Sequence, residues 1–244
     1  MVTALARVPT PQESKIYNKE AMHMPRPYKI RGFYTPKDVA AHNSADDCWV
    51  SLFNCVYDLT RLLEQNSDKA ECDPIVLAAG TDISHWFNEE TRCPKTYIDP
   101  ATGQQGYHYP QGRFLHVPPT SPNSDWDTQA FVHPWWEDVD AYGIGRLTEC
   151  TREVRIINML TKHDDLIECC DEESINEILD RYLEVNAHAA SYTWKRLGKK
   201  LDMGKNLTGN GIGNGSAELM KLGLAGDIYV QAIHLYYDDD LTIA

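Results

Sequence analysis

Nine histidines and seven cysteines are the residues of this 244-residue chain best equipped for chemistry. A neutral imidazole can act as a base or ligate a metal through a ring nitrogen, and a thiolate can attack or ligate. Spacing decides whether they do. The cysteines form no C-x-x-C pair, and the adjacent Cys169 and Cys170 do not have zinc-ligand spacing. They read as reduced thiols. No G-x-S-x-G and no H-E-x-x-H occurs. The glycine-rich run from Gly209 to Gly215 fits neither G-x-G-x-x-G nor a Walker loop and reads as a flexible loop. No hydrolytic enzyme is expected, although electron transfer needs no such set. Among the histidines, His85 stands out between Ser84 and Trp86, with Phe87 following. His108 and His116 lie in an aromatic stretch with Tyr107, Tyr109 and Phe114. His42 reads as structural, and His163 and His188 lie far along the chain.

The elements that must position these residues begin at Tyr34. A helix follows Thr35, and Trp49 to Phe53 is a compact apolar strand. Asn54 marks a turn. Val56, Tyr57 and Leu59 alternate with Asp58 and Thr60 as in a half-buried strand. Thr60 is placed to cap the helix that carries Leu62 and Leu63. After a polar loop from Gln65 to Asp73, Gly80 opens a turn leading to a short helix, capped by Asp82 or Ser84, that presents His85 and Trp86. Tyr107–Tyr109 and Arg113–Val117 read as two strands of a hairpin around Pro110–Gly112, able to fold back over a pocket.

In order, Tyr34, Val39, His42-Asn43, Asp46-Asp47-Cys48-Trp49-Val50, Val56-Tyr57-Asp58-Leu59-Thr60, Ala79-Gly80-Thr81-Asp82-Ile83-Ser84 and Phe87 resemble the cytochrome b5 domain, over about a quarter of the chain. The resemblance implies a haem b held between two histidines. The family's two ligand positions fall near Asn66 and Arg92, and neither is a histidine. Arginine has no lone pair to give iron. Haem would therefore need other ligands: His85, with His116 opposite or His108 as the alternative, and Tyr57 or Tyr97 as fallback oxygen ligands. The opposing reading is a b5-like domain without haem that serves only to bind protein.

Beyond Thr151 the pattern changes. Val154–Thr161 and Leu166–Cys169 read as strands. Asp171 and Ser174 frame the start of a helix along Ile175, Ile178, Leu179, Tyr182 and Leu183. Tyr192–Leu197 is a strand, the Gly198–Leu207 loop follows, and Asp227–Tyr237 is the last strand. This order resembles the ubiquitin-like β-grasp fold. The ending, Asp238 to Ala244, has no terminal pair of glycines for conjugation, so the half reads as an interaction module. The expected fold class is α+β: an extended arm over 1–31, a cytochrome b5-like domain over 32–117, a Trp/Pro-rich linker over 118–150 and a ubiquitin-like β-grasp domain over 151–244. Trp126, Trp135 and Trp136 of the linker are expected to pack on a neighbour or a partner.

With 36 acids against 23 bases and a net charge of −13, nucleic acid is an unsuitable partner. No apolar run approaches the roughly 20 residues of a membrane helix, and the start lacks a secretory apolar region. A cytoplasmic setting is expected, with basic protein surfaces as partners. The full domain order resembles a family of b5-domain proteins of motile cilia. That resemblance implies a non-catalytic component of the axoneme and cytoskeleton, associated with radial spoke proteins and the doublet microtubule assembly, with a haem-linked redox role in beating. The competing expectation is a soluble haem-dependent electron-transfer protein.

Overall fold

A computed structural model describes residues 28–101, 103–119, 126, 133–215, 219, 222–223 and 230–237. Two compact units emerge. Unit one takes the residues up to Ile30 and Asp38–Gly145. Unit two takes Arg31–Lys37 and Arg146–Ala244. The first strand, β1 (Phe33–Tyr34), belongs to unit two.

Unit one starts with α1 (Pro36–Ala41), whose first two residues lie before the boundary. Then come β2 (Asn43–Ser44), β3 (Asp47–Leu52) and β4 (Cys55–Asp58). Phe53 and Asn54 join β3 to β4 with φ of 49° and 64°, the two-residue turn whose twist suits a hairpin. Five of the six residues of β3 are buried, so this strand is a floor covered on both faces. Next come α2 (Thr60–Gln65) and α3 (Asp73–Leu77). Thr60 does not cap α2: its hydroxyl accepts the Cys48 N–H at 3.1 Å, and Asp58 accepts the Thr60 N–H at 3.0 Å. The sheet is completed by β7 (Gly143–Leu147), next to β4.

The expected hairpin around Pro110–Gly112 is not the one that forms. β5 (Thr96–Ile98) pairs with β6 (Gln105–Tyr107), because the turn chemistry of Asp99 closes an earlier loop: its carboxylate accepts the Ala101 N–H and its carbonyl the Gly103 N–H. Leu115 and His116 sit in a turn instead of a strand, with His116 at φ 69°.

The stretch 118–150 is a second correction. Its described residues are not a linker. Trp135 and Trp136 are buried in the core of unit one, α4 (Val139–Tyr142) follows, and the boundary falls at Gly145. Burying two indoles inside the unit offers more apolar area than an open linker could. Trp126 lies near the Arg113 guanidinium, 5.8 Å from its ring centroid. Of the arm, only Tyr28 to Arg31 are described; Tyr28 packs edge-on against Trp49 at 4.8 Å, and 1–27 lie outside the described residues.

Unit two is a mixed sheet and one helix. β8 (Thr151–Asn158) and β9 (Asp164–Cys170) are antiparallel. α5 (Ile175–Tyr182) starts at a capping box in which Ser174 and Glu177 satisfy each other's backbone N–H groups. β10 (Tyr192–Arg196), β11 (Lys199–Lys200) and β12 (Gln231–Tyr237) complete the order β11-β10-β12-β8-β9, with β12 parallel to β8 at the centre. Alternate residues of β8 are buried, and Val154, Ile156, Ile233, Leu235 and Trp194 meet Ile175, Ile178 and Tyr182 of α5 in one core. The glycine-rich run is held in place as well, since Ile212 is buried and Arg152 donates to the carbonyls of Ile212 and Gly213.

Candidate functional site: the aromatic interior of unit one

His85 owes its position to β3. The Gly80 N–H donates to the Trp49 carbonyl at 2.7 Å, and the Ser51 and Ile83 N–H groups exchange bonds with Thr81 and Ser51. Gly80 has φ 78°, and a Cβ there would stand 3.0 Å from the Asn43 Cβ, so this tight approach calls for glycine. Asp82 then accepts from the Ser84 hydroxyl at 2.6 Å, and Ser84 accepts the Phe53 N–H at 2.8 Å. A 3-10 turn, Ser84–Trp86, results. It turns Trp86 inward and leaves His85 exposed, its ring edge-on to Trp86 at 6.1 Å.

Behind this turn lies a cluster of aromatic rings. Trp86 meets Phe114 at 5.0 Å between centroids. Phe87 meets Phe114 at 5.8 Å, Trp136 at 5.5 Å and Trp135 at 6.1 Å. Trp135 and Trp136 stand perpendicular at 5.6 Å, and Trp135 also faces Tyr57 of β4 at 6.0 Å. The Phe87–Trp135, Trp135–Trp136 and Trp135–Tyr57 pairs are edge-to-face, an arrangement favoured for aromatic pairs, and the others are tilted. The Tyr57 hydroxyl, which burial pushes up to about 12, donates to the Trp136 carbonyl at 3.4 Å. Trp135 is 0 % exposed, Trp86 1 % and Trp136 8 %, yet none of their indole N–H groups has a hydrogen-bond acceptor among the described residues. A buried donor left unpaired costs about 1–3 kcal/mol, so three together identify an interior chosen for shape over polarity.

His116 belongs to the wall of this interior. Its Nδ1 accepts the Trp135 backbone N–H at 3.0 Å. Burial, with Lys69 adding to it, pulls its pKa down to about 4. The ring is thus neutral at ordinary pH. With Nδ1 accepting, its single proton sits on Nε2, and neither nitrogen has a lone pair to offer. His108 is exposed, its N–H donating to the Lys95 carbonyl. Tyr97 is exposed on β5. No group of three or more His, Cys, Asp or Glu side chains suited to a metal ion exists among the described residues.

The two family ligand positions are otherwise employed. The Asn66 side chain donates to the Leu62 carbonyl and accepts from Lys69, both at 2.8 Å. Arg92, at φ 58°, holds its guanidinium 4.0 Å from the centroid of the Phe53 ring. The residues that the sequence reading missed as site residues are Trp135 and Trp136. Their signal was visible as paired tryptophans directly after Pro134, but nothing local said which surface would receive them.

The profile of the cytochrome b5-like heme/steroid binding domain family matches residues 35–148. Cytochrome b5 domain-containing protein 1 of Xenopus laevis is 50 % identical over 210 residues, covering 86 % of this chain and 96 % of that protein. Its human namesake is 48 % identical over 215 residues, covering 88 % and 93 %. A shorter match, 43 % over 69 residues, links 27 % of this chain to 11 % of L-lactate dehydrogenase (cytochrome) of Saccharomyces cerevisiae.

The chain therefore carries a cytochrome b5-like domain of a haem-binding family, and haem is a possible cofactor. The donor set of the described conformation does not fit it. His85 is exposed to solvent, and His116 is in the tautomer that cannot ligate through Nε2, its Nδ1 being held by the Trp135 N–H. Haem ligation by this pair requires Trp135 to release His116 first.

Proposed function

The chain belongs to the cytochrome b5 domain-containing protein 1 family, and from that premise we propose that it is a non-catalytic component of the axoneme of motile cilia. In this reading it sits in the cytoskeleton among radial spoke proteins on the doublet microtubules, with no nucleic acid or membrane as partner and no reaction of its own. The observation that carries the non-catalytic part is the interior of unit one, where Trp135 and Trp136 are buried against Phe87 and Phe114 and the Trp135 N–H occupies Nδ1 of His116. The ciliary placement is supported by the resemblance of the whole domain order. Unit two is read as a ubiquitin-like β-grasp interaction module, supported by its strand order and its parallel central pair.

Haem enters this proposal as a conditional ligand at His85 and His116, taken up only when the Trp135 segment moves aside, and it would then couple beating to redox state. Electron transfer as the main role is the competing reading, favoured by the family's haem description. Titration of the full-length protein with haemin, followed by the Soret band, separates the two. The expected result is no stoichiometric Soret shift in the wild type, together with tagged protein that stays with the axoneme after detergent extraction. A full six-coordinate spectrum at one haem per chain, lost in His85→Ala, would instead establish the electron-transfer reading. Tagged protein released entirely by detergent would defeat the axonemal one.

A further inference from the structure

The β10–β11 hairpin of unit two breaks two rules at once. Its pairing sets Lys195 opposite Lys200 and Arg196 opposite Lys199. Like charges directly opposite one another destabilise a sheet, and here two such pairs are adjacent in a chain of net charge −13. The two-residue turn between them is Leu197-Gly198, at φ 48° and 78°. Both positions need a left-handed backbone, where asparagine and glycine are at ease and leucine is not. Leu197 is also 85 % exposed, the most exposed large apolar side chain among the described residues. Neither stability nor solubility explains a strained leucine at the tip of a self-repelling hairpin. Strain of this kind, once observed, points to use.

The register shows what the hairpin presents. Opposite residues share a face, so Lys200, Lys195 and His234 form a row across β11, β10 and β12. At strand spacings of about 4.8 Å the row spans about 10 Å. It lies on the face away from the core, since Trp194 and Leu235, one residue along, point inward. The Lys195 ammonium rests 5.0 Å from the centroid of the Tyr236 ring. Lys195, Lys199 and Lys200 have no ion-pair partner among the described residues, whereas Arg196 is tied back to the Gly211 carbonyl and Gln231. At the other side of the same face, Glu153 stands opposite Glu168, and Asp164 pairs with Arg155.

We propose that this cationic row, with Leu197 and Tyr236 beside it, is a docking surface for a short acidic peptide segment carrying an apolar residue. Carboxylates one helical turn apart are separated by about 5–6 Å, close to the spacing of the row. The apolar residue meets Leu197, which gives the exposed leucine a role that a phosphate backbone cannot. The dipolar face also selects against a broad anionic surface. A membrane or a duplex wide enough to cover the row would press on Glu153 and Glu168 as well, whereas a peptide about 10 Å wide would not. This inference is independent of what fills unit one.

The experiment is fluorescence anisotropy of a fluorescein-labelled hexaglutamate peptide with one central leucine, added to the full-length protein at low ionic strength. Anionic phosphatidylserine vesicles and a short DNA duplex serve as competitors. Lys195→Glu combined with Lys200→Glu should weaken binding at least tenfold. Leu197→Asn is the sharper variant. It should raise the melting temperature, because asparagine suits the turn, and yet weaken the peptide severalfold. Absence of peptide binding, binding unchanged by the charge reversals, or full-strength binding by Leu197→Asn would each overturn the proposal. So would displacement of the peptide by vesicles or duplex at lower concentration than by unlabelled peptide.

Discussion

The two units bury their cores by opposite means. Unit two uses one amphipathic helix against a sheet, and its buried polar groups are answered. Arg181 meets Glu173 at 2.8 Å, Arg152 meets Asp171 at 2.8 Å, and the Trp194 indole donates to the Ala189 carbonyl at 3.1 Å. Unit one has helices of four to six residues and an interior closed by rings from Phe87, Phe114, Trp135 and Trp136, with the indole N–H groups of Trp86, Trp135 and Trp136 unanswered among the described residues. A fold that completes itself with regular elements can satisfy its polar groups as it packs. One that closes with side chains from distant loops takes whatever volume fits and leaves donors stranded.

The largest test of this contrast is Trp135→Ala. Emptying so large and fully buried a site should remove about 3–5 kcal/mol from unit one. Hydrogen exchange should show faster opening at β3 and β4 with little change at β8 and β12. Equal acceleration in both units would mean that the two cores are one cooperative body.

A middle-sized effect belongs to His116. Its folded pKa is about 4 against an ordinary 6.5, with burial as the first cause. Between those values the unfolded chain binds a proton that the folded chain refuses. Stability is therefore fully present above about pH 6.5 and is lost as the pH falls toward about 4, by about 3 kcal/mol at most. His116→Gln can still accept the Trp135 N–H. Its urea midpoint should fall less steeply across that window than the wild type's, while the two slopes agree above neutrality. Identical slopes throughout would remove His116 from the wall of the interior.

The smallest effect sharpens the comparison from the other side. Ser174→Ala breaks the capping box of α5 and should cost unit two about 1 kcal/mol, visible as a small shift in its denaturation midpoint with unit one unchanged. A loss several times larger would show that unit two also hinges on a single long-range contact.

Much of unit two was legible because its signals are local. Asp171 and Ser174 frame a helix start, and the spacing of Ile175, Ile178 and Tyr182 marks the stripe that the structure buries. In unit one the β3–β4 hairpin was equally readable from Trp49 to Asp58. The hairpin before Pro110 was misplaced, since the turn at Asp99–Gly103 outcompeted it. The histidines show the limit most clearly. Sequence could say that no histidine stands at Asn66 or Arg92 and that His85 and His116 are what remains.

By itself, then, the sequence determined the family, the α+β class, the strands with strict alternation and the loss of both usual ligand positions. Each of these depends on residue type or near-neighbour spacing. Only the tertiary structure decided that Trp135 and Trp136 return to fill unit one, that the Trp135 N–H captures Nδ1 of His116, and that Lys195 and Lys200 face each other across a hairpin. These are long-range outcomes. They depend on which buried volume was still open, and on strand register, where a slip of one residue turns every side chain to the other face.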